Sequence, residues 1–169
     1  MPELNPNDIP GSVHSLVGLI GHFATDFFAF IVIAAVIAAF AFYLGRDRLV
    51  PLVAGLYAAI PLYQHFPWGA SVIADPMVAV ALFVGLTLIG LIAFSGLSAF
   101  VAGSSIGFIK LAILSALTAG LVIAVAIHIL PVSSFYTFSA PTAALFASNQ
   151  AFFLWLAAPL VGIFFLGRG

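Results

Sequence analysis

Five side chains of this sequence, His22, Asp26, His65, Asp75 and His128, could act in concert. Imidazole and carboxylate bind zinc and relay protons. Ionisable groups placed in a membrane are commonly functional. Convergence of the five would therefore make a proton or divalent-metal site, with the metal left open. Each also has an ordinary reading. Asp26 falls in the first turn of a helix, where the positive end of the dipole favours an acid. His65 follows a helix and Asp75 sits in a loop. Only His22 and Asp26, four apart, share a tight spacing, so five separate interfacial residues is the simpler expectation. His128 stands out from the rest because it closes a stripe of small residues.

A second set is Gly103-Ser104-Ser105-Ile106-Gly107, which matches G-x-S-x-G. A hydrolase elbow needs a strand-to-helix turn and a histidine within hydrogen-bond reach. Here the context is a loop entering an apolar helix. Ser105 and His128 lie 23 residues apart on it, roughly 35 Å at 1.5 Å per residue. Helix capping accounts for the serines, and no enzyme is expected. With no cysteine in the chain there is no disulfide, zinc-thiolate site or thiol nucleophile. A net charge of −1 offers no basic face to nucleic acid. No cofactor is expected.

The elements that hold these residues follow from composition. Of 169 residues, 64% are hydrophobic and 5% charged, against about 25% charged in a soluble domain. So few charges cannot cover a water-exposed surface, and lipid must be the solvent. The expected fold class is an all-α, polytopic membrane helix bundle of five spans, at about 26–44, 49–66, 77–94, 106–130 and 150–166. Each approaches the 18 to 20 apolar residues, roughly, that cross about 30 Å of hydrocarbon. Residues 1–25 form a polar N-terminal segment whose Ser12 to His22 stretch is amphipathic and expected to lie in the interface. Residues 26–169 form the transmembrane domain. Thr25 can cap the first span. The second is short enough to be tilted or re-entrant. Pro131 to Asn149 is uncharged and is expected along the membrane surface. A start of the last span at Pro141 would instead bury Asn149 and Gln150. On the fourth span Ala112, Ala116, Gly120 and Ala124 recur at every fourth residue, a stripe along which another helix can approach closely.

Arg46-Asp47-Arg48 makes a hydrophilic turn between two apolar stretches. In a five-span chain this turn, Lys110 and Arg168 share one face and account for all four basic residues. The positive-inside rule then gives N-out and C-in. It places His14, His22, His65 and His128 with Asp26 and Asp75 towards the outer face. The arginine turn is a topology anchor, or also a docking point for anionic lipid or a cytoplasmic partner. Lys110 can snorkel to the inner surface.

The order of features resembles the bacterial CvpA (colicin V production) family of small inner-membrane proteins. The stretches that carry the likeness are Gly45-Arg46-Asp47-Arg48, Val80 to Ile92 with Gly85 and Gly90, and Gly103 to Lys110. Ser139-Ala140-Pro141 and the last helix add to it. The resemblance is one of layout across about residues 26 to 166. It implies the bacterial cytoplasmic membrane and a role in export of a peptide toxin and envelope integrity, without catalytic residues.

The expectation is thus a scaffold or accessory subunit for export or envelope assembly. It would work through helix contacts, with the bilayer and other membrane proteins or its own copies as partners and no nucleic acid. The competing expectation is a transporter or channel subunit using the His/Asp set.

Overall fold

The computed structural model describes residues 11–45, 48–67, 75–97, 107–134 and 136–166. Within helices and 3-10 turns, the side chains of 11–20, 22, 23, 97, 133 and 166 fall outside that description. So do Arg46, Asp47, Arg168 and 103–106, which leaves most of the arginine turn and the G-x-S-x-G set outside the described residues. Every regular element described is helical. α1 is Gly11–Leu44, α2 Leu49–Gln64, α3 Pro76–Ala93, α4 Phe108–His128, α5 Ala140–Phe146 and α6 Asn149–Leu166. Single 3-10 turns follow α3 at Phe94–Leu97 and α4 at Pro131–Ser134.

Three helical stretches are long and apolar enough to cross a membrane, Ala24–Leu44, Pro76–Gly96 and Phe108–His128. A fourth qualifies if α5 and α6, bent by 64° at their junction, count as one span. The expectation of five is corrected on two grounds. α2 has 16 residues, about 24 Å at 1.5 Å per residue, short of the hydrocarbon thickness. The last span is not straight: the chain breaks between Phe146 and Asn149, and Asn149 and Gln150 sit exposed at the corner. Pro131 to Asn149 is thus no simple surface strip, because Ser139, Thr142 and Phe146 are buried.

The N-terminal boundary also moves. The amphipathic stretch and the first span are one helix of 34 residues. Thr25 does not cap it. Its hydroxyl donates back to the Gly21 carbonyl at 3.0 Å, inside the helix. Asp26 consequently lies mid-helix, not in a first turn, and its position needs another explanation. α1 ends at Gly45, whose φ of +105° is the left-handed conformation that glycine adopts without strain. The Arg48 N–H then bonds the Gly45 carbonyl at 3.0 Å, closing the turn. α3 starts as its sequence directs: Asp75 accepts from the Met77 N–H at 2.8 Å and Pro76 occupies the first turn.

α2 and α3 form a hairpin. They meet at Gly55 and Gly90, where a Cβ on Gly90 would fall 2.7 Å from the Gly55 Cα. Next to this contact Leu56, Ala59, Tyr63, Ala79 and Phe83 make a cluster that extends to Leu121 and Val125 of α4. α4 is the central element. It packs α6 on one side and α1 on another. Near the start of α4, Leu111 and Leu114 cluster with Ile37 and Ala41 of α1 and Leu49 of α2. Gly45, Arg48 and the first turn of α4 therefore share one end of the bundle.

The small-residue stripe is partly a packing seam. Gly120 and Ala124 are buried, Ala116 is half-buried and Ala112 is exposed. Its function at Gly120 is specific: a Cβ there would lie 2.0 Å from the Trp155 ring of α6. That ring also stacks on Phe146 at 4.9 Å and donates to the Leu145 carbonyl at 3.2 Å. Gly120→Ala is expected to expel the indole and to lower stability by about 1–3 kcal/mol, as overpacking does. Trp155 emission, read in a variant whose Trp68 is replaced by Phe, should shift together with the thermal midpoint. An unchanged spectrum would show that the indole does not rest on Gly120.

Candidate functional site

Among the described residues, His65, Asp75 and His128 do not converge on Asp26. Among the described residues no three of His, Asp and Glu lie close enough to hold a metal ion. His65 is exposed at the end of α2, with Nδ1 3.0 Å from the Pro61 carbonyl. Asp75 is exposed and occupied as the cap of α3. His128 is stacked on Phe152 of α6 at 4.4 Å and 18°. Its Nδ1 lies 3.2 Å from the Ala124 carbonyl. A carbonyl only accepts, so this nitrogen carries the proton. Nε2 is buried and without a hydrogen-bond partner among the described residues. The side chains of His14 and His22 lie outside the described residues. The physical reason for the dispersal is that α2, α3 and α4 each end separately, and the local needs of each end use the polar group found there.

Asp26 is the member that does gather partners, and they come from the far side of the sequence. It is 7% exposed. The Tyr136 hydroxyl donates to its Oδ1. The Ser139 N–H donates to its Oδ2 at 2.8 Å. The hydroxyls of Ser139 and Thr142 also lie within reach of the carboxylate, and they bond each other at 3.0 Å. All of these donors are neutral. The hydrogen bond to Asp26 is the main reason the Tyr136 phenol is raised above its ordinary value, and burial and the carboxylate's charge add to the shift.

The local sequence explains how the partners are presented. Ser139 is extended, with ψ 155°, directly before α5, so its N–H points away from the coming helix. Pro141 in the first turn of α5 has no N–H to satisfy. The segment 136–139 is irregular and can therefore offer backbone donors that a helix would use internally. Asp26 takes up one of them. Tyr136 also meets Phe138 edge-to-face at 4.9 Å, which fixes the ring that carries the hydroxyl. The arrangement is a latch: one acid of α1 holds the connection between α4 and α5.

Two cavities adjoin this acid. One of about 210 Å³ lies between Asp26, Phe30, Phe146 and Trp155. One of about 290 Å³ lies on its other side, lined by Ile33, Val122, Ala126 and Tyr136. The latter shares Val122, Ala126 and Val132 with a third and larger cleft of about 430 Å³. That cleft runs between α1 and α3, over α2 and α4, and is lined without any charged residue. On the opposite flank, the Tyr57 hydroxyl of α2 donates to the Leu156 carbonyl of α6. The hydroxyls of Ser139 and Thr142 face an acid that already accepts from Tyr136 and the Ser139 N–H.

Sequence reasoning named Asp26 and missed Tyr136, Ser139 and Thr142. The one available signal was an uncharged segment with several hydroxyls following the fourth span. Comparison with protein-family models, with curated proteins and with solved structures finds no match.

Proposed function

We propose that the chain is a non-enzymatic membrane scaffold or accessory subunit that works by lateral helix packing. The observation that carries this reading is the cover of α1. Of its membrane-length stretch Ala24–Leu44, 11% is buried within the chain, against 56% for Phe108–His128. Phe28, Val36 and Phe42 are each more than 60% exposed. α1 is nonetheless held firmly, by Asp26 at one end and by Ala41 at the other. A secured helix with an uncovered apolar side is a surface on which another membrane helix can pack. An assignment to the bacterial cytoplasmic membrane, with a role in export or envelope assembly and N-out, C-in orientation, rests on the layout resemblance to CvpA and on the distribution of basic residues. The transporter reading has less support, since Asp26, His65, Asp75 and His128 are separate and each has a local structural use.

The test is photo-cross-linking in intact membranes. A photoreactive residue at Val36 is expected to give a discrete protein adduct, either a second copy or another membrane protein. One at Val125, which is fully buried, is expected to give none. Lipid adducts alone at Val36, Phe28 and Phe42 would refute the scaffold reading.

A further inference from the structure

α1 has two faces that lie back to back. Asp26, Ile37 and Ala41 are buried against the rest of the chain. On the other side Gly21, Phe28, Ala35 and Phe42 are exposed at intervals of seven residues, and Thr25, Val32 and Ala39 are exposed between them. Together they alternate in steps of four and three from residue 21 to residue 42. A seam of that period is one along which two helices wind about each other in a left-handed supercoil. None of the seven side chains is charged, and the Thr25 hydroxyl is already spent on the Gly21 carbonyl.

Gly21 is the independent observation. It lies inside a helix, where glycine is unfavourable relative to alanine. Among the described residues nothing lies within 4 Å of a Cβ built there, so the rest of the chain makes no use of the missing side chain. Ala35 and Ala39 repeat the pattern one and a half turns or more inside the membrane-length stretch: small, adjacent on the seam and uncovered. Small residues allow close approach of a second helix. The uncovered faces of α3 and α6 present Leu88, Ile89, Leu154 and Leu160 instead, side chains too large for such an approach.

We propose that the occupant of this face is α1 of a second copy of the chain, in a parallel two-fold dimer. The proposal rests on the scaffold reading and names its partner. A two-fold pair of copies inserted the same way has its axis along the membrane normal, so each seam residue faces its own duplicate. Ala35 and Ala39 then meet their equals where the backbones come closest, and Phe28 and Phe42 close the contact on either side. The size is adequate. Phe28 and Phe42 are each 66% exposed and Tyr43 beside them 84%, which leaves about 300–500 Å² of aromatic surface open. Val32, Val36 and the alanines bring the face to the order of the ~800 Å² that each partner gives to a stable interface.

The absence of cysteine from the chain makes the test direct. Full-length chain carrying Ala35→Cys or Ala39→Cys, reconstituted in phosphatidylcholine vesicles and oxidised, is expected to run mainly as a disulfide-linked dimer. Ile89→Cys on α3 and Leu154→Cys on α6, both more than 60% exposed, should remain monomeric. Ala35→Leu should keep wild-type helicity and weaken association about ten-fold, the scale of overpacking one contact, read as energy transfer between labelled copies at increasing lipid dilution. Dimers at I89C and L154C as abundant as at A35C would overturn the proposal, as would association unaltered by A35L. If A35L fails to fold, the cysteine pattern decides alone. In native membranes, a cross-link from Val36 to a different protein and never to a second copy would end the dimer and leave the scaffold reading standing, whereas lipid adducts alone would end both.

Discussion

Replacement of Gly90 by leucine is expected to eliminate the folded protein from mild-detergent extracts. The α2–α3 hairpin is closed by backbone meeting backbone. A Cβ on Gly90 would stand 2.7 Å from the Gly55 Cα and 3.1 Å from the Gly55 carbonyl oxygen. A Cβ on Gly55 would stand 2.7 Å from both the Leu91 nitrogen and the Thr87 carbonyl oxygen. Main-chain atoms of two helices cannot rotate aside as a side chain can. The helices must separate, and separation takes apart the edge-to-face contact of Tyr63 with Phe83 at 5.9 Å. Inside a bilayer such contacts are the main source of helix association, since no hydrophobic drive exists between helices already in lipid. Alanine at either position is expected to cost about 1–3 kcal/mol, and leucine more. Gly85 is the control on the same helix: nothing lies within 4 Å of a Cβ built there. Gly85→Ala should leave stability unchanged or raise it, because alanine is the better helix former by about 1 kcal/mol. Loss of helicity during denaturation in a graded detergent series reads all three. A G90L protein as stable as G85A would mean that the two helices do not touch at this point.

The second large effect is expected at Asp26. Alanine there leaves the buried Ser139 N–H with no acceptor and removes the bond from Tyr136. An unsatisfied buried donor costs about 1–3 kcal/mol, and α1 loses its tie to the connection between α4 and α5. Asparagine keeps one acceptor oxygen and should fall between wild type and alanine. Tyr136→Phe removes one donor without orphaning the acid and is expected to cost about 1 kcal/mol. Because the two groups share a bond, the D26N/Y136F double variant should lose less than the sum of the singles, by about 0.5 kcal/mol or more. Protease nicking within 132–139 gives an independent reading: it should accelerate in D26A and remain near wild type in Y136F. Additive losses in the cycle would show that the tyrosine and the acid act separately.

The helices were largely legible from the residues, and their partners were not. An apolar stretch without charge from Phe27 to Leu44 dictates a helix in lipid, and Gly45 before a polar knot dictates its end. The start of α1 was misread because Thr25 and Asp26 carry the composition of an N-terminal cap. Position inside a helix depends on what precedes them, and the Ser12 to His22 stretch has the helical periodicity to continue straight through. Asp26 looked like an answer to the helix dipole, but its partners lie 110 and 113 residues later, and spacing of that kind carries no local signal. Gly55 and Gly90 were silent for a related reason. Gly90 has no small neighbour four residues away, and Gly55 has only Ala59, so the seam they form exists only once the hairpin is folded. The stripe on α4 shows the complementary case. Its periodicity marked Gly120 as a place of close approach, but nothing in the sequence said that the visitor would be an indole, or that Ala112 would remain uncovered.

The uninterrupted α1 has a mechanical corollary. Its 34 residues amount to about 51 Å of rod, well beyond the thickness of the oily slab. Asp26 lies about 22 Å from the tip and about 27 Å from the base by the same rise per residue. The acid is therefore placed like a fulcrum. Any sideways push on the protruding arm is borne first by the bonds to Tyr136 and Ser139, and what passes them is met near the base by Ile37 and Ala41, which pack on Leu111 and Leu114 of α4.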